Sequence, residues 1–190
     1  MMKKRILIAE DESIIRMDIK MMLEDNGYEV VGEAGDGDRA IELAYELRPD
    51  LILMDIKMPK LDGLKASRII ANQLDLPMLI LTAYSQKEFI EKAQQDNILG
   101  YLVKPISETN LLPAIEIALH QAGKAKQLKE GVKNAEQQVE IRKLIERSKG
   151  ILMQEEQLTE KEAFKKLRDI SMSRRMTMES VATEILANQK

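Results

Sequence analysis

The chain has 190 residues, 29 basic and 32 acidic, and a formal net charge of -3. It contains no Cys and a single His, His120, which excludes disulfides, thiol nucleophiles, Cys-ligated zinc or iron–sulfur centres and two-His zinc sites. No apolar stretch approaches the roughly 20 residues needed to span a bilayer, and Glu10, Asp11 and Glu12 cut short the apolar run that follows the basic start, so neither a membrane span nor a signal peptide is expected.

In chain order, Arg5-Ile-Leu-Ile-Ala9 reads as a strand that ends in acids. Ser13 is placed to cap a helix carrying Ile14, Ile15, Met17, Ile19, Met22 and Leu23, with Asn26-Gly27 as its stop. Residues 28–34 read as a strand, 38–47 as a helix closed by Pro49, and 50–55 as a strand apolar enough to be buried on both faces. A helix over 64–74 follows Asp62-Gly63, then a strand over 77–82, a helix over 85–97 and a strand over 98–103. Strands alternating with helices predict a doubly wound α/β domain with a five-stranded parallel sheet, flavodoxin-like in architecture.

Ser107 starts a helix with no obvious stop, although Pro113 should kink or loosen its first turns. Ala125, Leu128, Val132, Ala135 and Val139 follow 3-4-3-4 spacing, a short heptad seam. That seam suits a parallel homodimer stalk, favoured here over a helix folded back on its own domain. Beyond it lies a small three-helix unit. Ile141, Leu144, Ile145, Ser148 and Leu152 form a core face, Thr159-Glu-Lys-Glu162 a capping box, and Thr177 a further cap. The expected organisation is therefore an α/β domain over 1–122, a helical coiled-coil linker over 123–140 and an all-α domain over 141–190. Charge divides in the same way: residues 1–123 carry 14 basic and 21 acidic side chains, and 124–190 carry 15 and 11.

In open α/β sheets, ligands bind beyond the carboxyl ends of the strands. Those ends carry Glu10 and Asp11, Asp55, Thr82, and Lys104-Pro105. Three clustered carboxylates repel one another, and an all-oxygen donor set without imidazole selects Mg²⁺ or Mn²⁺. A carboxylate in that setting can attack a phosphoryl group, with Lys104 as countercharge and Thr82 as a hydroxyl that follows the phosphoryl oxygens. Taken singly, each of these residues is an ordinary turn, cap or strand residue, and only their joint pattern is unusual.

The motifs Ile-Ala-Glu10-Asp11-Glu12, Leu-Met-Asp55-Ile-Lys-Met-Pro59 with Asp62-Gly63, Leu-Thr82-Ala83 and Gly100-Tyr101-Leu-Val-Lys104-Pro105 resemble those of the receiver domains of two-component response regulators. The resemblance implies that Asp55 is the phosphoacceptor. It implies that Glu10, Asp11, Asp55 and the backbone carbonyl of Lys57 hold Mg²⁺, that Lys104 pairs with the phosphate, and that Thr82 and Tyr101 are switch residues. On its own sequence, Tyr101 could equally be an edge-strand aromatic. A phosphatase of the haloacid-dehalogenase type is disfavoured, because Lys57 stands where its second Asp is needed. The chain is thus expected to be a phosphoacceptor and not an enzyme, beyond slow self-dephosphorylation.

In the tail, Arg147-Ser-Lys149-Gly150-Ile-Leu152-Met153, Glu162-Ala163-Phe164-Lys-Lys-Leu167-Arg168, Ser171-Met172 and Val181-Ala182 resemble the ANTAR domain, an RNA-binding module of transcription antiterminators. Ser148 and Ser171 depart from it, where Ala is frequent. The resemblance implies binding of paired hairpin loops in a nascent leader mRNA, so that a terminator cannot form; ethanolamine-utilisation antiterminators are one group of possible relatives. Residues expected off the core face, and so facing RNA, are Arg142, Arg147, Lys149, Gly150, Lys165, Arg168 and Arg175. Phe164, the tail's one aromatic, is expected on the core face. The partners implied are a sensor histidine kinase, leader RNA and, on phosphorylation, a second copy of the chain, in the cytoplasm. A DNA-binding response regulator and an adaptor that binds no nucleic acid are the alternatives; the long feeding helix and Lys149-Gly150 fit a DNA-reading helix-turn-helix poorly.

Overall fold

The computed structural model describes residues 3–83 and 97–188. Strands β1 (Arg5–Ala9), β2 (Glu29–Ala34), β3 (Leu51–Asp55), β4 (Met78–Thr82) and β5 (Ile98–Val103) form one parallel sheet in the order β2-β1-β3-β4-β5. Helices α1 (Ser13–Asp25), α2 (Gly37–Leu47) and α3 (Gly63–Gln73) lie between strands, and α4 (Glu108–Glu156) follows β5. Helices α5 (Glu160–Arg174) and α6 (Met178–Ala187) complete the described chain. The helix expected over 85–97 falls on residues outside the described ones. The chain divides into two units, Met1–Ala125 and Lys126–Lys190, with the boundary inside α4.

In the first unit, alternate residues of each strand enter opposite cores, as a period of two requires. Leu7, Ile52, Met54, Met78 and Ile80 pack with Ala40 and Ala44 of α2 and Ala66 and Ile70 of α3. Ile6, Ile8, Leu51, Leu53 and Leu81 face Ile19 and Leu23 of α1 and Leu111, Ile115 and Ala118 of α4. Every residue of β3 and of β4 is buried, which is why their apolar runs lack alternation.

Helix ends follow local chemistry with one exception. Asp62 accepts a hydrogen bond from the Lys65 amide, Thr159 forms a complete capping box with Glu162, and Thr177 accepts from the Ser180 amide. Ser13, expected as a cap, is instead the first helical residue, behind Glu12, which makes no side-chain cap bond. Asn26 closes α1, and Gly27 takes a left-handed φ of 84°. Pro113 lies inside α4 without ending it: the assigned helix is continuous over 49 residues.

In the second unit, Leu152, Ala163, Leu167 and Val181 form a small core, with Ile145, Leu158, Ile170, Met176, Met178 and Ile185 around it. Leu128, Val132 and Val139 of the heptad seam are exposed.

Candidate functional site

The register of the sheet assembles the acidic site. Ala9 pairs with Met54, Asp55 with Leu81 and Thr82 with Val103, so Glu10, Asp55, Thr82 and Lys104 arrive together at one edge. The backbone bonds extend one residue beyond the strands: the Glu10 amide donates to the Ala34 carbonyl, Ile56 to Leu81 and Lys104 to Thr82. These bonds fix where the functional side chains leave the sheet.

One carboxylate oxygen from each of Glu10, Asp11 and Asp55 lies within 4.8 Å of the others. Lys104 Nζ stands 2.7 Å from Glu10 Oε2 and 3.2 Å from Asp55 Oδ1. The side chains of Glu10, Asp55 and Lys104 are 0%, 5% and 13% exposed, so these charges interact with little solvent screening. Burial pushes the carboxyls of both Glu10 and Asp55 above their ordinary pKa, against the pull of Lys104. Lys104 itself is held above its usual value, because its bonds to Glu10 and its attraction to Asp55 outweigh the cost of burying it.

The donor set fits a hard divalent cation. It is all oxygen and electronegative, and Glu10 Oε2, though close to Lys104, is buried without a hydrogen bond of good angle. Receiver domains bind Mg²⁺ at an acidic pocket, and the cluster of Glu10, Asp11 and Asp55 is consistent with that use.

Two further features hold the site, and the contacts through which they act were not legible in the sequence. A Cβ on Gly63 would fall 1.8 Å from the Asp55 carbonyl oxygen, so the chain can return over Asp55 only with glycine there. Arg16 donates to the Glu10 carbonyl and ion-pairs with Glu33 at 3.4 Å, tying α1 to the loop that carries the acids. Thr82 is buried, while Tyr101 is half-buried against the core under α2 and α3, which raises its phenol above the usual pKa. Lys57 is exposed.

The tail sorts its cations into two groups. Lys143, Lys149, Lys166 and Arg174 are ion-paired, with Glu140, Glu146 and Glu160, Glu156, and Glu184 respectively. The exposed side chains of Arg142, Arg147, Lys161, Lys165, Arg168 and Arg175 make no ion pair or hydrogen bond among the described residues. A Cβ on Gly150 would meet nothing within 4 Å, so its backbone is open to approach.

Two tail residues differ from expectation. Lys149 does not stand free off the core face. Its side chain is 7% exposed, and its ammonium reaches Glu146 Oε1 at 3.0 Å and Glu160 Oε1 at 2.8 Å, because the turn into α5 brings Glu160 back over it. Phe164 is not a core residue. It is 45% exposed, since Ala163 and Leu167 take the inward positions of α5. Ser148 and Ser171 keep their hydroxyls satisfied by the carbonyls of Ile145 and Met176.

Residues 6–116 match the response regulator receiver domain, and residues 133–186 match the ANTAR domain. The chain therefore belongs to the response regulators, with a receiver domain followed by an ANTAR domain. It is 46% identical over 183 residues to the transcriptional regulatory protein PdtaR of Mycobacterium tuberculosis, a match spanning 96% of this chain and 89% of that one. It is 40% identical over 121 residues to the chemotaxis protein CheY of Bacillus subtilis, covering 63% of this chain and 100% of CheY. Among solved structures, the signal receiver domain of a modulated diguanylate cyclase from Desulfovibrio desulfuricans G20 superposes with a TM-score of 0.60 at 32% identity, over 65% of this chain and 99% of that one. No helix among the described residues is long and apolar enough to cross a membrane.

Proposed function

We propose that the chain is a phosphorylation-activated antiterminator of the cytoplasm. Its working divisions are a phosphoacceptor domain over 1–122, a helical linker over 123–140 and an RNA-binding domain over 141–190. The observation that carries this reading is the joining of two sites in one chain: a buried acid–lysine cluster at the strand ends, and a tail in which Arg142, Arg147, Lys161, Lys165, Arg168 and Arg175 are exposed with no carboxylate partner among the described residues.

A sensor histidine kinase presents a phosphoryl group on its imidazole. An Asp55 oxygen attacks phosphorus, the bond to the imidazole nitrogen breaks, and an aspartyl phosphate forms. Glu10, Asp11, Asp55 and the Lys57 carbonyl are the residues that would hold Mg²⁺, which supplies charge neutralisation when bound. Lys104 turns from the carboxylates to the new phosphoryl oxygens. The Thr82 hydroxyl follows, and Tyr101 moves with it as the other half of the switch. The chain does no chemistry on a released substrate, apart from slow self-dephosphorylation.

Phosphorylation favours a homodimer through the seam of Leu128, Val132 and Val139, whose apolar side chains are exposed in the single chain. Two ANTAR domains then meet two hairpin loops of a leader mRNA, and requiring both multiplies weak contacts by effective concentration. Arg142, Arg147, Lys165, Arg168 and Arg175 are the phosphate contacts, and Gly150 lets the RNA approach the backbone. The test is to treat the chain with acetyl phosphate and Mg²⁺, then measure its mass in solution and its affinity for hairpin RNA and for duplex DNA. Dimer formation and tighter RNA binding, both lost in Asp55→Ala, support the reading. Equal mass and RNA affinity with and without phosphate overturn it, and preference for duplex DNA replaces it with a DNA-binding regulator.

A further inference from the structure

We infer that Phe164 is a stacking platform for an unpaired base of the RNA loop, and that Lys149 positions its ring from beneath. The inference rests on the RNA-binding reading above and names the contact that would read a base.

The first observation is the exposure of Phe164. The chain has only 2 Phe and no Trp, and this unit has a small core of Leu152, Ala163, Leu167 and Val181, yet its one aromatic is left 45% exposed. The second is its company. Lys161, Phe164, Lys165, Arg168 and Met172 recur at i, i+3, i+4, i+7 and i+11, one face of α5. On a helical projection the acids nearest this strip, Glu160, Glu162 and Asp169, fall to its sides, and none lies within it. The three cations make no ion pair or hydrogen bond among the described residues. Met172 is exposed as well.

An aromatic face bordered by unpaired cations is what single-stranded nucleic acid requires: the ring stacks on a base, and the cations take the flanking phosphates. Contact with the same strip of a second copy is disfavoured, because it would set these cations against their own kind. The charge complementarity is to a polyanion.

The third observation is what lies under the ring. Lys149 Nζ sits 5.9 Å from the Phe164 ring centroid, within cation–π range. Glu146 and Glu160 pin that ammonium and raise its proton affinity. With the cation held on one side, the ring keeps one face presented and loses less rotamer freedom when a base arrives. Lys149 is thus a positioning residue and not a phosphate contact.

The test uses the full-length chain, with acetyl phosphate and Mg²⁺, and a hairpin RNA enriched by the wild-type chain from a pool with a fixed stem and randomised loop. Phe164→Leu should weaken binding roughly tenfold or more, while the slope of log affinity against log salt stays unchanged. Lys149→Met should weaken binding less, also without changing the slope, and Lys165→Ala with Arg168→Ala should reduce the slope. Phe164→Trp introduces the chain's only indole. Its fluorescence should be quenched by the intact loop and not by the same hairpin with abasic loop positions. Circular dichroism and the thermal midpoint confirm that each variant folds. Unchanged affinity in Phe164→Leu, or an unquenched indole on the selected hairpin, overturns the stacking role and leaves the RNA-binding reading standing. Failure of the pool to yield any hairpin overturns both, as does capture of the strip by an acidic protein in place of RNA.

Discussion

Lys104 and Lys149 are each enclosed by two carboxylates, and the two clusters behave as opposites. Around Lys104 the acids are themselves buried, and burial raises both of their pKa values, so the cluster is a strained set of charges that a new ligand can rearrange. Around Lys149 the acids are open: Glu146 and Glu160 are 54% and 71% exposed. Water screens them, their attraction is satisfied locally, and nothing is gained by exchanging partners. In the roles proposed above, the same three charges would make a switch at one site and a prop at the other. What differs is which member of the set has been taken out of water.

The most severe way to break the first cluster is Asp55→Ala, which should abolish covalent phosphorylation by acetyl phosphate; intact-protein mass should show no added phosphoryl group. Next comes Gly63→Ala, whose new Cβ collides with the Asp55 carbonyl. It should cost on the order of 3–4 kcal/mol of unfolding free energy, read by denaturant melts. Lys104→Met removes the cation between two buried carboxylates. In chelator it should cost about 3 kcal/mol, and millimolar Mg²⁺ should restore part of this.

A smaller effect concerns pH. The folded pKa values of Glu10 and Asp55 lie above ordinary ones, so the folded state holds these protons more tightly than the unfolded chain does. Their contribution to stability is present at low pH and is lost as pH rises from the ordinary carboxylate range through the raised values. In chelator, the wild type minus Glu10→Gln/Asp55→Asn should show this downward slope, and Mg²⁺ should flatten it. A difference curve that rises with pH would contradict the cause assigned here. The smallest change is expected at the second cluster. Lys149→Met keeps the aliphatic stem against its neighbours and should alter stability by about 1 kcal/mol or less, with no response to Mg²⁺.

The sheet and the acidic site were legible because they depend on short-range signals. Apolar runs ending in Glu10, Asp55, Thr82 and Lys104 mark strand ends, and a parallel sheet brings such ends to one edge whatever their separation in sequence. The caps at Asp62, Thr159 and Thr177 obey rules only three residues long. The cap at Ser13 failed because Glu12, with no side-chain bond, took the boundary position. Lys149 was misread because its second partner, Glu160, comes from another helix, and no helical projection of α4 contains it. Phe164 lies about 90° from the axis of the buried face of α5 on such a projection. There, packing against other helices decides exposure and periodicity does not. Gly63 could be located but not explained, since its constraint is the Asp55 carbonyl, eight residues earlier in the chain.

The placement of the two charges at the strand ends has a kinetic consequence. Asp55 closes β3, which is fully buried and hydrogen-bonded to neighbours on both sides. Lys104 follows β5, an edge strand paired only with β4 and half-buried along most of its length. Amide hydrogens in such strands exchange with solvent at different rates, slowest where opening requires breaching the whole core. Asp55 is therefore carried by the part of the sheet that opens least often. Lys104 follows a part that local fluctuations can release, so, in the proposed reading, the lysine can let go of the acids without the domain unfolding around them.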